Sequence, residues 1–96
     1  MEKVNWIRLI LDEAHRAEEV HSGMSQLTLE RCTLVLCEEV GEAVKAVLDA
    51  SRIKSNQPIN QEVARAVVIR NAINETIQTA AAAYNLLKRL EEEINK

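Results

Sequence analysis

The chain has 96 residues, a hydrophobic content of 47% and a formal net charge of −3, which fits one domain (1–96) near the lower end of what builds a self-sufficient core and excludes a disordered chain. It has no Phe, one Trp, one Tyr, two Gly and one Pro, a helix-forming composition with little turn chemistry. The acidic balance argues against a nucleic-acid backbone binder, which shows a basic face, and no apolar run approaches the roughly 20 residues of a membrane span.

The first predicted helix runs from about Glu2 to His21, with Val4, Ile7, Leu11 and Ala14 at spacings of three and four. Glu2 and Lys3 ahead of this amphipathic segment do not read as a signal peptide. Asp12–His15 and Glu18–His21 have the carboxylate-x-x-His spacing of di-iron bundles. Both pairs lie on one helix, whereas such a site draws them from two, so solvated histidines are the better reading. Trp6 is a candidate to stack on a base, with packing in the first helix or at an oligomer interface as the competing roles. "SGMSQ" (22–26) is the first break.

The second predicted helix starts near Thr28, a plausible N-cap with Glu30 in the first turn, and continues to about Arg52. Cys32 and Cys37 lie five apart on different faces of it, which suits two reduced core thiols in a cytoplasmic protein and neither a disulfide nor a zinc site. "LCEEVGEAVKA" (36–46) places three glutamates in an otherwise apolar stretch, and a lone buried carboxylate is costly unless it is paired or bound to a metal. Measured from Glu38 at about 100° per residue, Glu42 lies at about 40° and Glu39 at about 100°, one sector. Leu29, Leu36, Val40, Ala43 and Val47 gather on the opposite side.

"KSNQP" (54–58) is the second break, with Pro58 placed as a first helical residue. From Ile59 to about Glu93 there is no breaker, so one long helix is predicted. Glu75, Gln78, Asn71, Asn74 and Asn85 form its polar stripe, while Ala66, Ile69, Ile73, Ile77, Ala80, Tyr84 and Leu87 line the opposite face. "AAAA" (80–83) reads as a place where helices approach closely. If the polar sectors of the second and third helices face each other, three or four carboxylates converge. Like charges that close raise one another's pKa unless a cation joins them, and a hard divalent ion with oxygen ligands, Mg²⁺ above all, resolves the conflict. The competing reading is a solvated acidic face with Lys45 as a surface ion-pair partner.

"EEVGE" (38–42) resembles the E-E-x-x-E signature of the all-α nucleoside triphosphate pyrophosphohydrolases, the MazG-like group. "INETIQTAAAAYNLLKRL" (73–90) is similar to their second motif segment, and "HSGMSQLTLERCTLVLCEEVGEAVKAVLD" (21–49) resembles small phage and mobile-element members. The resemblance implies an antiparallel bundle of three main helices completed by oligomerisation. It further implies Mg²⁺-dependent cleavage of nucleoside triphosphates to monophosphate and pyrophosphate, often as house-cleaning of nucleotide pools. Carried over by position, Glu39, Glu42 and Glu75 would hold the metal. Glu38 would hold a further metal or orient the attacking water. Gln78 stands where the family's E-x-x-D motif has Asp, offering a carbonyl oxygen but no charge. The 32 residues between Glu42 and Glu75 exceed the family's usual gap. Apart from the resemblance, Lys45 is a candidate to reach the triphosphate, and Asn71 and Asn74 are read equally as hydrogen-bonding base or sugar or as exposed polar residues. A non-catalytic helical assembly or interaction protein is the alternative. The apolar "CTLVLC" (32–37) and the length of the third helix call for a partner, expected to be a second copy in a homodimer or a tetramer with active sites near the subunit interface.

Overall fold

The computed structural model describes residues 3–20, 28–52 and 61–96. The first break (22–26), His21, the second break (54–58) and Pro58 lie outside them. The described residues form helices α1 (Trp6–Val20), α2 (Leu29–Ser51) and α3 (Gln61–Ile94) and contain no strand. None of the helices is long and apolar enough to cross a membrane.

Local chemistry accounts for where the helices begin. Helix α1 starts at Trp6 and not near Glu2, because Asn5 caps it: its Oδ1 accepts from the Arg8 amide at 3.1 Å, satisfying a donor that would otherwise be orphaned. Thr28 caps α2 as its sequence position predicts, with extended backbone and its Oγ1 accepting from the Arg31 amide at 3.2 Å. Helix α3 runs unbroken for 34 residues, about 51 Å at ~1.5 Å per residue. The polar stripe at Asn71 and Asn74 does not interrupt it.

Helix α3 is the common support, with α2 and α1 each packed along it. Hydrogen bonds fix both crossings. The Thr79 hydroxyl on α3 lies 2.9 Å from the Glu39 carbonyl of α2 and 2.9 Å from the Glu75 carbonyl of its own helix. Asn85, buried on α3, donates from Nδ2 to the Ala14 carbonyl of α1 at 3.2 Å. Nearby, Lys88 pairs with Glu18 at 3.3 Å.

The buried residues are small: Ala14, Cys32, Ala46, Ala72, Ala81 and Ala82, with Asn85 the one buried polar side chain among the described residues. Ala81 and Ala82 fall in the alanine run, where their short side chains let the helix axes come close. Many of the larger apolar residues are exposed. Val4, Ile7 and Leu11 of the α1 stripe are exposed, as are Val40 and Val47 of α2 and Ile69, Ile73, Tyr84 and Leu87 of α3. Cys32 is fully buried, but Cys37 is exposed, which corrects the expectation of two core thiols. The cause is that α2 buries the sector of Cys32, Glu39 and Ala46 against α3, and Cys37 lies away from it. Because Ala14 is closely surrounded, Ala14→Leu should cost about 1–3 kcal/mol by overpacking. Urea unfolding measures it, and an unchanged midpoint would contradict so tight a crossing.

A candidate metal centre between two helices

The tight approach of α2 and α3 has a chemical result. Glu39 and Glu42, one turn apart on α2, meet Glu75 of α3, and one carboxylate oxygen from each lies within 4.8 Å of the other two. Glu39 and Glu75 are half-buried and Glu42 is exposed. Glu39 Oε2 and Glu75 Oε2 are shut off from solvent with no hydrogen-bond partner. Buried carboxylate oxygens normally have donors, and an unsatisfied one costs stability.

The electrostatics point the same way. Burial, followed by the charges of Glu42, Glu75, Glu13 and Glu38, pushes the Glu39 carboxyl above its ordinary value of 4.5. Glu75 is raised above 4.5 by burial, then by the Glu42 charge and a hydrogen bond to that carboxyl group. Every one of these influences opposes ionisation, and none comes from a cation. A divalent ion about 2.0–2.5 Å from each ligand oxygen holds those oxygens roughly 3–4.5 Å apart. The three carboxylates, with one oxygen from each within 4.8 Å of the others, lie close enough for small side-chain shifts to reach that spacing, and their all-oxygen donor set suits Mg²⁺, Ca²⁺ or Mn²⁺ more than a thiophilic metal.

Two cavities flank the cluster. The smaller, about 60 Å³, is lined by Glu39 and Gln78 together with Glu13 and Arg16 of α1. Arg16 donates from Nε to Glu13 Oε2 at 2.8 Å and from Nη2 to Oε1 at 2.5 Å. This two-pronged bond holds the Glu13 carboxyl below its usual range. The larger, about 220 Å³, is lined by Glu42 and Glu75 with Lys45, Ala46, Asp49 and Asn71.

The structure therefore brings Glu39, Glu42 and Glu75 together, puts Gln78 on one flank, and puts Lys45 and Asn71 on the other. Glu38 is exposed and outside the close group, though near enough to add to the repulsion on Glu39. Asn74 is exposed and lines neither cavity. Trp6 lies elsewhere, on an apolar groove with Ile10 and Ile73. His15 is exposed, with Glu19 3.1 Å away, in keeping with a solvated histidine. Glu13, Arg16 and Asp49 line the flanking cavities and are residues that periodicity did not single out. The Glu13–Arg16 spacing of three was a visible ion-pair signal, but nothing local says that this pair sits against Glu39.

No protein-family model, curated protein or solved structure matches the chain.

Proposed function

We propose that this chain is a Mg²⁺-dependent nucleoside triphosphate pyrophosphohydrolase of the MazG-like type, acting on the cytoplasmic nucleotide pool and converting (d)NTP to (d)NMP and pyrophosphate. One observation carries the reading. Three carboxylates from two helices converge within 4.8 Å, and two of their oxygens are buried without a partner. The antiparallel course of α2 and α3 belongs to the same proposal. It is supported by Glu39 lying against Thr79 while Asp49 shares a cavity with Asn71.

In this reading Glu39, Glu42 and Glu75 hold the ion, with the Gln78 carbonyl oxygen available beside Glu39. When bound, Mg²⁺ neutralises charge on the triphosphate and polarises its oxygens. Lys45 and Asn71 face the cavity beside Glu42 and meet the phosphates and the nucleoside. Glu38, exposed next to Glu39, orients the water and takes its proton. The water oxygen bonds to the α-phosphorus as that atom's bond to the α–β bridging oxygen breaks, and the bridging oxygen departs with pyrophosphate.

The test is pyrophosphate release from a panel of ribo- and deoxyribonucleoside triphosphates, with Mg²⁺ and with EDTA. Release is expected with Mg²⁺ and not with EDTA. No release from any substrate would overturn the enzymatic reading. It would favour the second one, a non-catalytic helical assembly protein, for which the uncharged Gln78 and the exposed apolar side chains speak.

Gln78 offers a finer test. Gln78→Asp adds a fourth carboxylate beside Glu39 and should tighten Mg²⁺ binding about tenfold or more if this side chain reaches the ion. An unchanged Mg²⁺ titration would place residue 78 outside the coordination sphere.

A further inference from the structure

The two cavities beside the carboxylate cluster differ in size and in the cation each holds. The larger, about 220 Å³, has Lys45 on its wall, and the smaller, about 60 Å³, has Arg16. A buried water needs at least about 10–15 Å³, so the smaller cavity takes a few waters or a group of phosphoryl size. A sugar and base fit only the larger. Both cavities open from the same cluster, since Glu39 lines the smaller while Glu42 and Glu75 line the larger. A ligand chelated to an ion at the cluster therefore reaches into both.

Arg16 is already held in the posture of an anion receptor. Glu13, three residues earlier on α1, accepts from both its Nε and its Nη2. A guanidinium offers phosphate the same two-pronged fork that it offers carboxylate. The Glu13 side chain is 19% exposed and that of Arg16 54%, so the guanidinium is the partner with room to turn. Gln78 on the same cavity adds amide N–H donors and no charge. The charge balance calls for a cation here. Three carboxylates facing one divalent ion leave a net negative charge, and Glu13 adds to it. A polyphosphate bound to that ion is repelled on any flank that lacks a positive group. Lys45 supplies one flank, and Arg16 is the only cation lining the other.

We propose that Arg16 binds the pyrophosphate end of the substrate, and that Glu13 holds the guanidinium ready and yields it when the phosphates arrive. This rests on the nucleotide reading above and fixes the direction in which the substrate lies. The nucleoside runs along the larger cavity beside Lys45 and Asn71. The α-phosphorus sits at the carboxylates, and the pyrophosphate lies between Arg16 and Gln78. Arg16 then stabilises the negative charge that the pyrophosphate gains as the bridging oxygen departs with it. Glu13 is a positioning residue, acting through Arg16 alone.

Calorimetric titration of the full chain with inorganic pyrophosphate, at a fixed excess of Mg²⁺, tests this without turnover. Arg16→Gln should weaken pyrophosphate binding roughly 10–100-fold, the loss of a charge-assisted two-pronged contact. Arg16→Lys should recover part of it, keeping the charge and losing the fork. Nucleoside monophosphate should bind wild type and both variants nearly alike, and the rise in melting temperature with Mg²⁺ alone should persist in Arg16→Gln. Glu13→Gln releases the guanidinium, so pyrophosphate should bind as tightly as to wild type or more tightly. An ion pair that only supports the fold predicts the same loss from Glu13→Gln as from Arg16→Gln, and that result would overturn the proposal. So would equal losses of monophosphate and pyrophosphate affinity in Arg16→Gln, or no loss of either, in a wild type that hydrolyses triphosphates; the nucleotide reading would then stand. A wild type that neither binds pyrophosphate nor hydrolyses any triphosphate would overturn both. If Arg16→Gln fails to fold, the opposite shifts expected of Arg16→Lys and Glu13→Gln decide the matter.

Discussion

Replacing Glu39 or Glu42 by Gln is expected to abolish the rise in melting temperature that Mg²⁺ confers, and to lower nucleotide hydrolysis by at least about 100-fold. Loss of a group that merely supports a metal ligand already costs about 10–100-fold, so loss of a ligand charge should cost more. The two variants should differ in the absence of metal. Glu39 is half-buried with an unpartnered buried oxygen and is pressed by four other carboxylates. Glu39→Gln therefore removes a repelled charge and should raise the metal-free melting temperature. Glu42 is exposed and keeps more of its hydration, so Glu42→Gln should raise it less. This pattern, stability gained in EDTA and metal response lost, separates a ligand from a residue that only supports the fold. Full turnover in either variant would sink the ligand assignment. A Glu39→Gln protein less stable than wild type in EDTA would contradict the electrostatic account of the cluster.

The second large effect concerns pH. In EDTA, the fold is expected to become more stable as pH falls from neutrality toward the ordinary carboxylate range. Glu39 and Glu75 are raised above 4.5 in the folded protein, so the native state binds their protons more readily than the unfolded chain does. Their contribution is fully present below the unfolded value and is lost as pH rises through the folded values. Glu13 and Glu93 have the opposite sign. Held below 4.5, the first by Arg16 and the second by Lys96 and Arg89, they stabilise above that value and lose their contribution as pH falls through the folded ones. The stability maximum should consequently lie on the acid side of neutrality, above the range where Glu13 and Glu93 protonate. Saturating Mg²⁺ should flatten or invert the slope, since the ion displaces the same protons and binds more weakly in acid. Melting temperatures measured with EDTA and with Mg²⁺ between about pH 7 and pH 5 test this. The difference between wild type and Glu39→Gln isolates the cluster from other titrating groups. A metal-free melting temperature that falls steadily across that interval, with no dependence on residue 39, would exclude the mechanism.

The elements were legible because they are long and uninterrupted. Thr28 signals the start of α2 by residue type and by Glu30 two positions on, whereas apolar periodicity extends back to Val4 and masks the Asn5 cap of α1. That Glu39 and Glu42 share a sector could be read from angles alone, since residues sharing a sector of a helix stay together however the helix is placed, whereas their meeting with Glu75 of another helix was an expectation that depended on the two polar sectors facing each other. Which sector faces inward was harder to read. Apolar stripes ordinarily mark the core, yet here Ile69, Ile73 and Val47 are exposed, while Ala46 and Ala81, which line the cavities beside the carboxylates, are buried. Alanine is too weakly hydrophobic to announce itself in a moment-weighted pattern. The roles of Glu13, Arg16 and Asp49 depend on which turns of different helices meet, a non-local fact that spacing within one helix does not contain.

The alanine-built interior also has a calorimetric consequence. The heat-capacity increment of unfolding scales with the apolar area newly exposed to water, and typically reaches about 12–15 cal/mol/K per residue. A lone protomer, with Val47, Ile69, Ile73 and Leu87 already hydrated, has less such area to expose. Its stability curve should be flat, with a broad, weakly cooperative melt and little cold sensitivity. Any molecule that seals the isoleucine groove would move the missing increment into its own binding step, so warming and cooling alike would act first on that contact and only then on the helices themselves.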